Sequence, residues 1–253
     1  MSTNLIKDKT IYPESDGKPM AENTLQYEYI VIIKEGLDCF LTNSFVAADL
    51  FWYPVKGKPK INQAPDVMVA LGRPKGHRGS YKEWEEDNIA PQVVFEILSP
   101  GNTVAEMTRK FNFYNTYGVE EYYIYDPQKN ELTISQRIDG QLVEIDFVGG
   151  WVSPLLEIRF QLSSDRLQLF YPNGDAFLSY QQLKMIADRE RLEKEEALAE
   201  KEAALAEKEM ALAEKETALA KIAQEKSEKE IILAERERLK EKLRKLGIDP
   251  DND

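Results

Sequence analysis

Residues 91–100 read PQVVFEILSP, an apolar run closed by proline at each end and interrupted once, by Glu96. Val93, Val94, Phe95, Ile97 and Leu98 leave neither face of an extended chain polar, so the strand they predict is covered on both sides. Such strands belong to the interior of α/β sheets. Immediately downstream, Val104, Met107, Phe111 and Tyr114 fall on one side of a helix. Thr103 and Glu106 stand at capping-box spacing at its start, and Gly118 ends it. EEYYIYDP, residues 120–127, then reads as a second strand. Strand, helix and strand in that order predict two parallel neighbours joined by a right-handed crossover.

Working outward, FVAADLFWYPV (45–55) and APDVMVALG (64–72) read as two further strands, each bounded by Pro, Gly or Asn. Before them, residues 24–41 space Leu25, Tyr29, Ile32 or Ile33, Leu37 and Phe40 as the apolar side of a first helix. After the crossover, ELTISQRIDGQLVEIDFV predicts a hairpin about Asp139-Gly140. The expected fold class is α/β, a mixed sheet with flanking helices over residues 24–180, preceded by an extension at 1–23.

Gly174 is the last glycine or proline before Gly247, which predicts a long helix over 181–248, on the order of 100 Å if continuous. Inside it an ALAEKEx unit recurs every seven residues and sets Leu198, Leu205, Leu212 and Leu219 in register. Heptads imply a partner helix, here a coiled coil and a homodimer. Lys201 or Glu202, then Lys208 or Glu209, occupy the complementary core positions, so the coil is weak in its middle. A solvated spacer helix without a partner is the alternative. Residues 249–253 are expected to be disordered.

Composition removes several functional classes. Among 253 residues there is one cysteine, Cys39, and one histidine, His77. No intramolecular disulfide, Cys-based zinc cage or His-rich metal site is available. His77 lies in KGHRGS with no serine or cysteine nucleophile motif beside it, which argues against a hydrolase triad. No stretch approaches the ~18 consecutive apolar residues of a membrane span, and a cytoplasmic protein without membrane contact is expected. Metal chemistry, if present, runs on oxygen ligands, which suits magnesium or a similar hard cation. The net charge of -12 opposes a protein that coats nucleic acid over its whole surface.

Three residues carry the chemistry. Glu96 is a carboxylate inside a buried strand, where desolvation without a partner costs several kcal/mol. Asp66 follows Pro65 directly and opens the strand VMVAL, which places its carboxylate where the chain enters the sheet. Lys110 lies three residues after Met107 and four before Tyr114, so it borders the helix face that packs on the strands. Two carboxylates on adjacent strands with an ammonium from the covering helix form a site able to hold a divalent metal and activate water for attack on phosphorus. Taken singly, each has a plainer reading: a buried ion pair, a strand-start residue and an edge lysine.

Between Lys56 and Lys82 seven basic side chains face one acid, Asp66. That local charge suits a phosphate backbone. Arg73, Lys75 and Arg78, in the long glycine-bearing loop 72–91, are the expected substrate-binding residues. Glu83, Glu85, Glu86 and Asp87 in the second half of the same loop oppose that reading.

The sequence of features Pro65-Asp66, Glu96-Ile97-Leu98-Ser99-Pro100, Glu106 with Lys110 and Tyr114, Gly118-Val119-Glu120-Glu121-Tyr122-Tyr123 and Asp126-Pro127 resembles the Uma-type restriction endonucleases, a branch of the PD-(D/E)XK nuclease superfamily. The resemblance covers about residues 24–180. It implies a restriction-endonuclease-like core and cleavage of phosphodiester bonds with magnesium or manganese, in which Asp66 and Glu96 are metal ligands. In the wider superfamily a lysine stands two residues after the acid, where this chain has Leu98. The branch resembled here supplies its lysine from the following helix, a position Lys110 matches. The tail lies outside the resemblance.

The expectation is therefore a magnesium-dependent endodeoxyribonuclease. Asp66, Glu96 and the main-chain carbonyl of Ile97 bind the metal, and Lys110 orients or deprotonates the attacking water. DNA is the expected partner, and a catalytically inactive scaffold acting through its tail is the alternative.

Overall fold

The computed structural model describes residues 10–15, 17, 21–146 and 150–247. The expected disorder of 249–253 and much of the 1–23 extension lie outside the described residues. The chain divides between Leu183 and Lys184 into two units. In order, the first carries helix α1 (Thr24–Phe40) and strands β1 (Ser44–Ala47), β2 (Trp52–Tyr53), β3 (Val67–Leu71), β4 (Tyr81–Lys82) and β5 (Val93–Ile97). Helix α2 (Val104–Thr116) follows, then β6 (Glu121–Asp126), β7 (Glu131–Ile138), β8 (Gln141–Ile145), β9 (Trp151–Val152), β10 (Arg159–Leu162) and β11 (Leu167–Phe170). Helix α3 runs over Tyr180–Lys245.

The main sheet has six strands in the order β1-β3-β5-β6-β7-β8. Only β5 and β6 pair in parallel within it, and α2 is the crossover between them. The other pairs are antiparallel, with Val67 opposite Phe95 and Val69 opposite Val93 between β3 and β5. The sheet is therefore mixed, and its two central strands are buried on both faces. Smaller sheets β11-β10-β9 and β2-β4 complete the first unit.

Alternation along the central strands sorts residues by parity. Val67, Val69, Val93, Phe95 and Ile97 point to a layer made by α1 and the β9–β11 sheet, where they pack with Ile30, Ile33, Leu37 and Phe160. Met68, Ala70 and Val94 point the other way and pack with Tyr114 of α2, Trp52 and Tyr81. Asp66 and Glu96 share the second parity. Both carboxylates are thus directed to the α2 face by position alone.

Two helical faces differ from expectation. In α1 the buried stripe is Gln26, Ile30, Ile33 and Leu37, while Leu25 and Phe40 are exposed. The run YIVII offers two overlapping apolar stripes, and the chosen one lets Gln26 donate from Nε2 to the Ile97 carbonyl at 2.9 Å. The Asn23 side chain caps the helix in that orientation by accepting from Gln26 N. In α2, Val104 is 86% exposed, and the buried residues are Lys110 and Tyr114. Residues 45–55 form two strands rather than one, because the chain turns at Asp49 with φ of 48°.

In the second unit α3 buries none of its residues, and Leu198, Leu205, Leu212 and Leu219 are all exposed. No helix among the described residues is long and apolar enough to cross a membrane.

Candidate active site

Extending the antiparallel register of β3 and β5 by one residue beyond Val67 and Phe95 sets Asp66 opposite Glu96. Directly opposed residues on one face have Cβ atoms about 4.5–5.5 Å apart. The pair is tied further by Ile97 N, which donates to Asp66 Oδ2 at 2.6 Å. Glu96 is 2% exposed and has a partner on each oxygen. Lys110 Nζ donates to Oε2 at 2.6 Å, and the Tyr114 hydroxyl donates to Oε1 at 2.5 Å. Lys110 and Tyr114 are four apart on α2, so one helix face delivers both donors. Tyr114 is held in turn by a parallel stack on Trp52, ring centroids 6.5 Å apart, and by Tyr122 at 5.0 Å.

The electrostatics follow from burial. Burial first, and then the charge of Glu96, push the Asp66 carboxyl up to about 8, against the opposing pull of Lys110 and the Ile97 N–H. Burial likewise raises Glu96, with Lys110 acting in the other direction. For Lys110 burial lowers the ammonium, but Glu96 and Asp66 outweigh it and hold its pKa above the ordinary lysine value. The three groups form one coupled set in which the lysine stays cationic at neutral pH.

A polar cavity of about 340 Å³ opens onto the set, lined by Asp66 and Lys110 with Glu22, Asp49, Phe51, Asn62, Gln63 and Glu106 among others. A larger depression of about 550 Å³, with Leu98, Val104, Met107 and Phe111 in its wall, touches none of the three residues. Asp66 and Lys110 face the smaller one.

All the expected site residues except the loop cations come together here. Ile97 joins through both main-chain groups, its N–H on Asp66 and its carbonyl accepting from Gln26. That carbonyl keeps a second lone pair. Arg73, Lys75 and Arg78 do not line the cavity. Arg73 pairs with Glu86 at 3.1 Å and with Asp87, while Arg78 pairs with Glu86 at 2.6 Å and lies 3.9 Å from the Phe45 ring centroid. Lys75 pairs with Asp38 at 3.0 Å. The acidic half of loop 72–91 closes on Arg73 and Arg78, and Lys75 is paired by Asp38 of α1, so all three cations already have acid partners.

Sequence reasoning assigned no site role to Tyr114 or Gln26, and did not single out Glu22 at all. The spacing of Tyr114 four residues after Lys110 was the available signal. Gln26 reaches Ile97 across 71 residues of sequence, which no local pattern shows. Glu22 accepts from Ser99 Oγ at 2.5 Å and from Gly101 N at 3.2 Å, and so fixes the turn after β5.

The donors suit a hard cation by type. Among the described residues no group of three or more His, Cys, Asp or Glu side chains is arranged to hold a metal. What the site offers is two apposed carboxylates and a carbonyl, all oxygen, with water left to complete a shell. Two buried carboxyls, both raised by burial and Asp66 further by the charge of Glu96, fit such a cation, because added positive charge favours their ionised forms.

Comparison with known proteins gives the family. Residues 40–169 match the family model Uma2, described as "Putative restriction endonuclease". No curated protein matches. Among solved structures, "a putative nuclease belonging to DUF820" from Anabaena variabilis superposes with a TM-score of 0.40 at 14% identity, over 54% of this chain and 74% of that one. The family match defines the class as a nuclease, an enzyme acting on nucleic acid. The chain belongs to the Uma2 family.

Proposed function

We propose that this chain is a divalent-cation-dependent endonuclease that hydrolyses DNA phosphodiester bonds at the Asp66, Glu96 and Lys110 set. The observation that carries this reading is the apposition of Asp66 and Glu96 across β3 and β5, with Lys110 bonded to Glu96 at the mouth of a polar cavity. Asp66, Glu96 and the Ile97 carbonyl would hold magnesium or manganese. A bound cation of that kind supplies Lewis acidity to the phosphate and acidifies a water molecule.

The protein's own groups have distinct tasks. Lys110, kept protonated by its two carboxylate neighbours, serves as a cation and hydrogen-bond donor toward charge gathering on the phosphoryl oxygens, and not as a base. Tyr114 fixes the Glu96 rotamer through Oε1, so that Oε2 stays available to Lys110. The Ile97 N–H fixes Asp66 in the same manner. Hydrolysis adds water across one P–O bond and yields a hydroxyl and a phosphate terminus. The catalytic domain in this reading is residues 24–180, and the helix from 181 to 248 joins two copies.

The test is cleavage of supercoiled plasmid and of labelled oligonucleotides, with magnesium, with manganese and with EDTA. Wild-type protein is expected to cut only with a cation, and Asp66→Asn is expected to be inert. Wild-type protein inert on every substrate, or Asp66→Asn as active as wild type, contradicts the reading.

A further inference from the structure

The positive charge that the sequence places beside the site divides into two loops with different fates. In residues 72–91 each of the four cations has an ion pair, Arg73 and Arg78 with Glu86, Lys82 with Glu85, and Lys75 with Asp38 of α1. Between Asp49 and Asp66 there is no acid at all, and three lysines stand within five residues at 56, 58 and 60. All three are exposed, and none has an ion partner among the described residues.

The segment bearing them is an ordered projection. Its base is closed by paired bonds between Trp52 and Gln63, at 2.8 and 3.2 Å. Its tip is turned by Gly57, whose φ of 78° is left-handed, and Ile61 N donates back to the Lys58 carbonyl at 2.9 Å. Asn62 Nδ2 donates to the Pro59 carbonyl at 2.7 Å. Asn62 and Gln63 then line the cavity, and Asp66 follows three residues later. Cations without an ion partner among the described residues therefore lead along a continuous, hydrogen-bonded segment to the candidate catalytic carboxylates. Phe51, on the incoming side of the same projection, adds an aromatic face to the cavity wall.

From this juxtaposition we infer that Lys56, Lys58 and Lys60 form the phosphate-backbone contact for the nucleic acid, with Phe51, Asn62 and Gln63 meeting the nucleotide that enters the cavity. The inference rests on the nuclease reading and deepens it by replacing Arg73, Lys75 and Arg78 as the substrate-binding cations. An acidic protein gains local affinity for a polyanion in this way without a basic surface elsewhere. Side-chain amides and aromatic faces are the groups that contact base edges and stack on bases.

The test is anisotropy of a fluorescein-labelled DNA duplex, in EDTA and again in calcium, from 50 to 200 mM salt. Compared are wild type, the triple variant Lys56→Gln/Lys58→Gln/Lys60→Gln, and Lys75→Gln. Each lost phosphate contact lowers the salt slope by about 0.9, so the triple variant's slope falls by about 2.7. Over this fourfold salt range wild-type affinity then drops about 40-fold more than that of the variant. Lys75→Gln is expected to follow wild type. A triple variant with the wild-type slope overturns the loop assignment and leaves the nuclease reading standing. Wild-type protein that binds no DNA in either condition overturns both.

Discussion

Lys110 Nζ lies 2.6 Å from Glu96 Oε2, a helix-borne ammonium 9% exposed against a strand-borne carboxylate 2% exposed. The second carboxylate, Asp66, faces the same ammonium from β3 but takes its direct bond from Ile97 N. Neutralising the two acids is therefore expected to have opposite effects on the metal-free fold. Glu96→Gln leaves a buried ammonium without its partner, a loss of about 3–5 kcal/mol for pairs of this kind. Asp66→Asn keeps an acceptor for Ile97 N and removes first the cost of burying a charge there and then its repulsion against Glu96, so stability rises. A gain of 1 kcal/mol appears as about 2–4 °C for a domain of this size. Thermal unfolding in EDTA at pH 8 measures both, and shifts of the same sign contradict the arrangement.

Tyr114→Phe removes one hydrogen bond to Glu96 while retaining the ring stacked on Trp52. Hydrogen bonds to charged groups contribute about 1.5–3 kcal/mol, and that is the expected stability loss. Because Tyr114 orients a proposed ligand, manganese affinity is expected to fall by about 10- to 100-fold. Calorimetric titration decides between a positioning role and a packing role. Unchanged manganese affinity assigns Tyr114 to the core alone.

The central architecture was legible because parity and periodicity are strong in it. VVFEIL is apolar on both faces, and the residues around Lys110 have an unmistakable helical period, so the parallel pair, the crossover and the adjacency of Asp66, Glu96 and Lys110 could be read from local pattern. What local pattern does not carry is which of two overlapping stripes α1 buries, since that choice depends on the distant Ile97 carbonyl. The strands β9–β11 escaped for a different reason. They are two to four residues long, too short for alternation to register. The pairing of the loop cations was not legible because charge counts ignore it: Glu86 lies 13 residues from Arg73 and 8 from Arg78, and only folding brings them together.

Glu86 provides a pH-dependent test of that loop. Arg78 foremost, and then Arg73, hold its carboxyl below the usual range against the opposing effect of burial. A carboxyl depressed in the folded state contributes stability that is fully present above its unfolded pKa, about 4.3. That contribution is lost as pH falls through the folded value. Glu86→Gln is expected to unfold at lower temperature than wild type at pH 7, with the two curves converging below about pH 4. Melting profiles that stay parallel across this range contradict the clamp.

The tail divides two outcomes. No Lys stands three or four residues from a Glu across residues 197–217, so intrahelical ion pairs do not support the repeats there, and the exposed leucines favour a partner helix. Light scattering at tens of micromolar is expected to give a dimer for the full chain and a folded monomer after deletion of residues 190–253. A monomeric full chain identifies α3 as a solitary spacer, and an insoluble truncation contradicts an independent catalytic domain.

The most direct measurement is the single-turnover rate of magnesium-dependent DNA cleavage by wild type, Asp66→Asn, Glu96→Gln, Lys110→Ala and the triple variant that combines these three substitutions, each checked for fold by circular dichroism. Groups that act as one unit are non-additive, and proton-handling or charge-stabilising side chains typically contribute about 100- to 10,000-fold. The account predicts that each single variant loses at least about 100-fold, and that the triple variant is no slower than the slowest single one. A single variant within tenfold of wild type, or losses that multiply in the triple variant, would contradict a joint site of Asp66, Glu96 and Lys110.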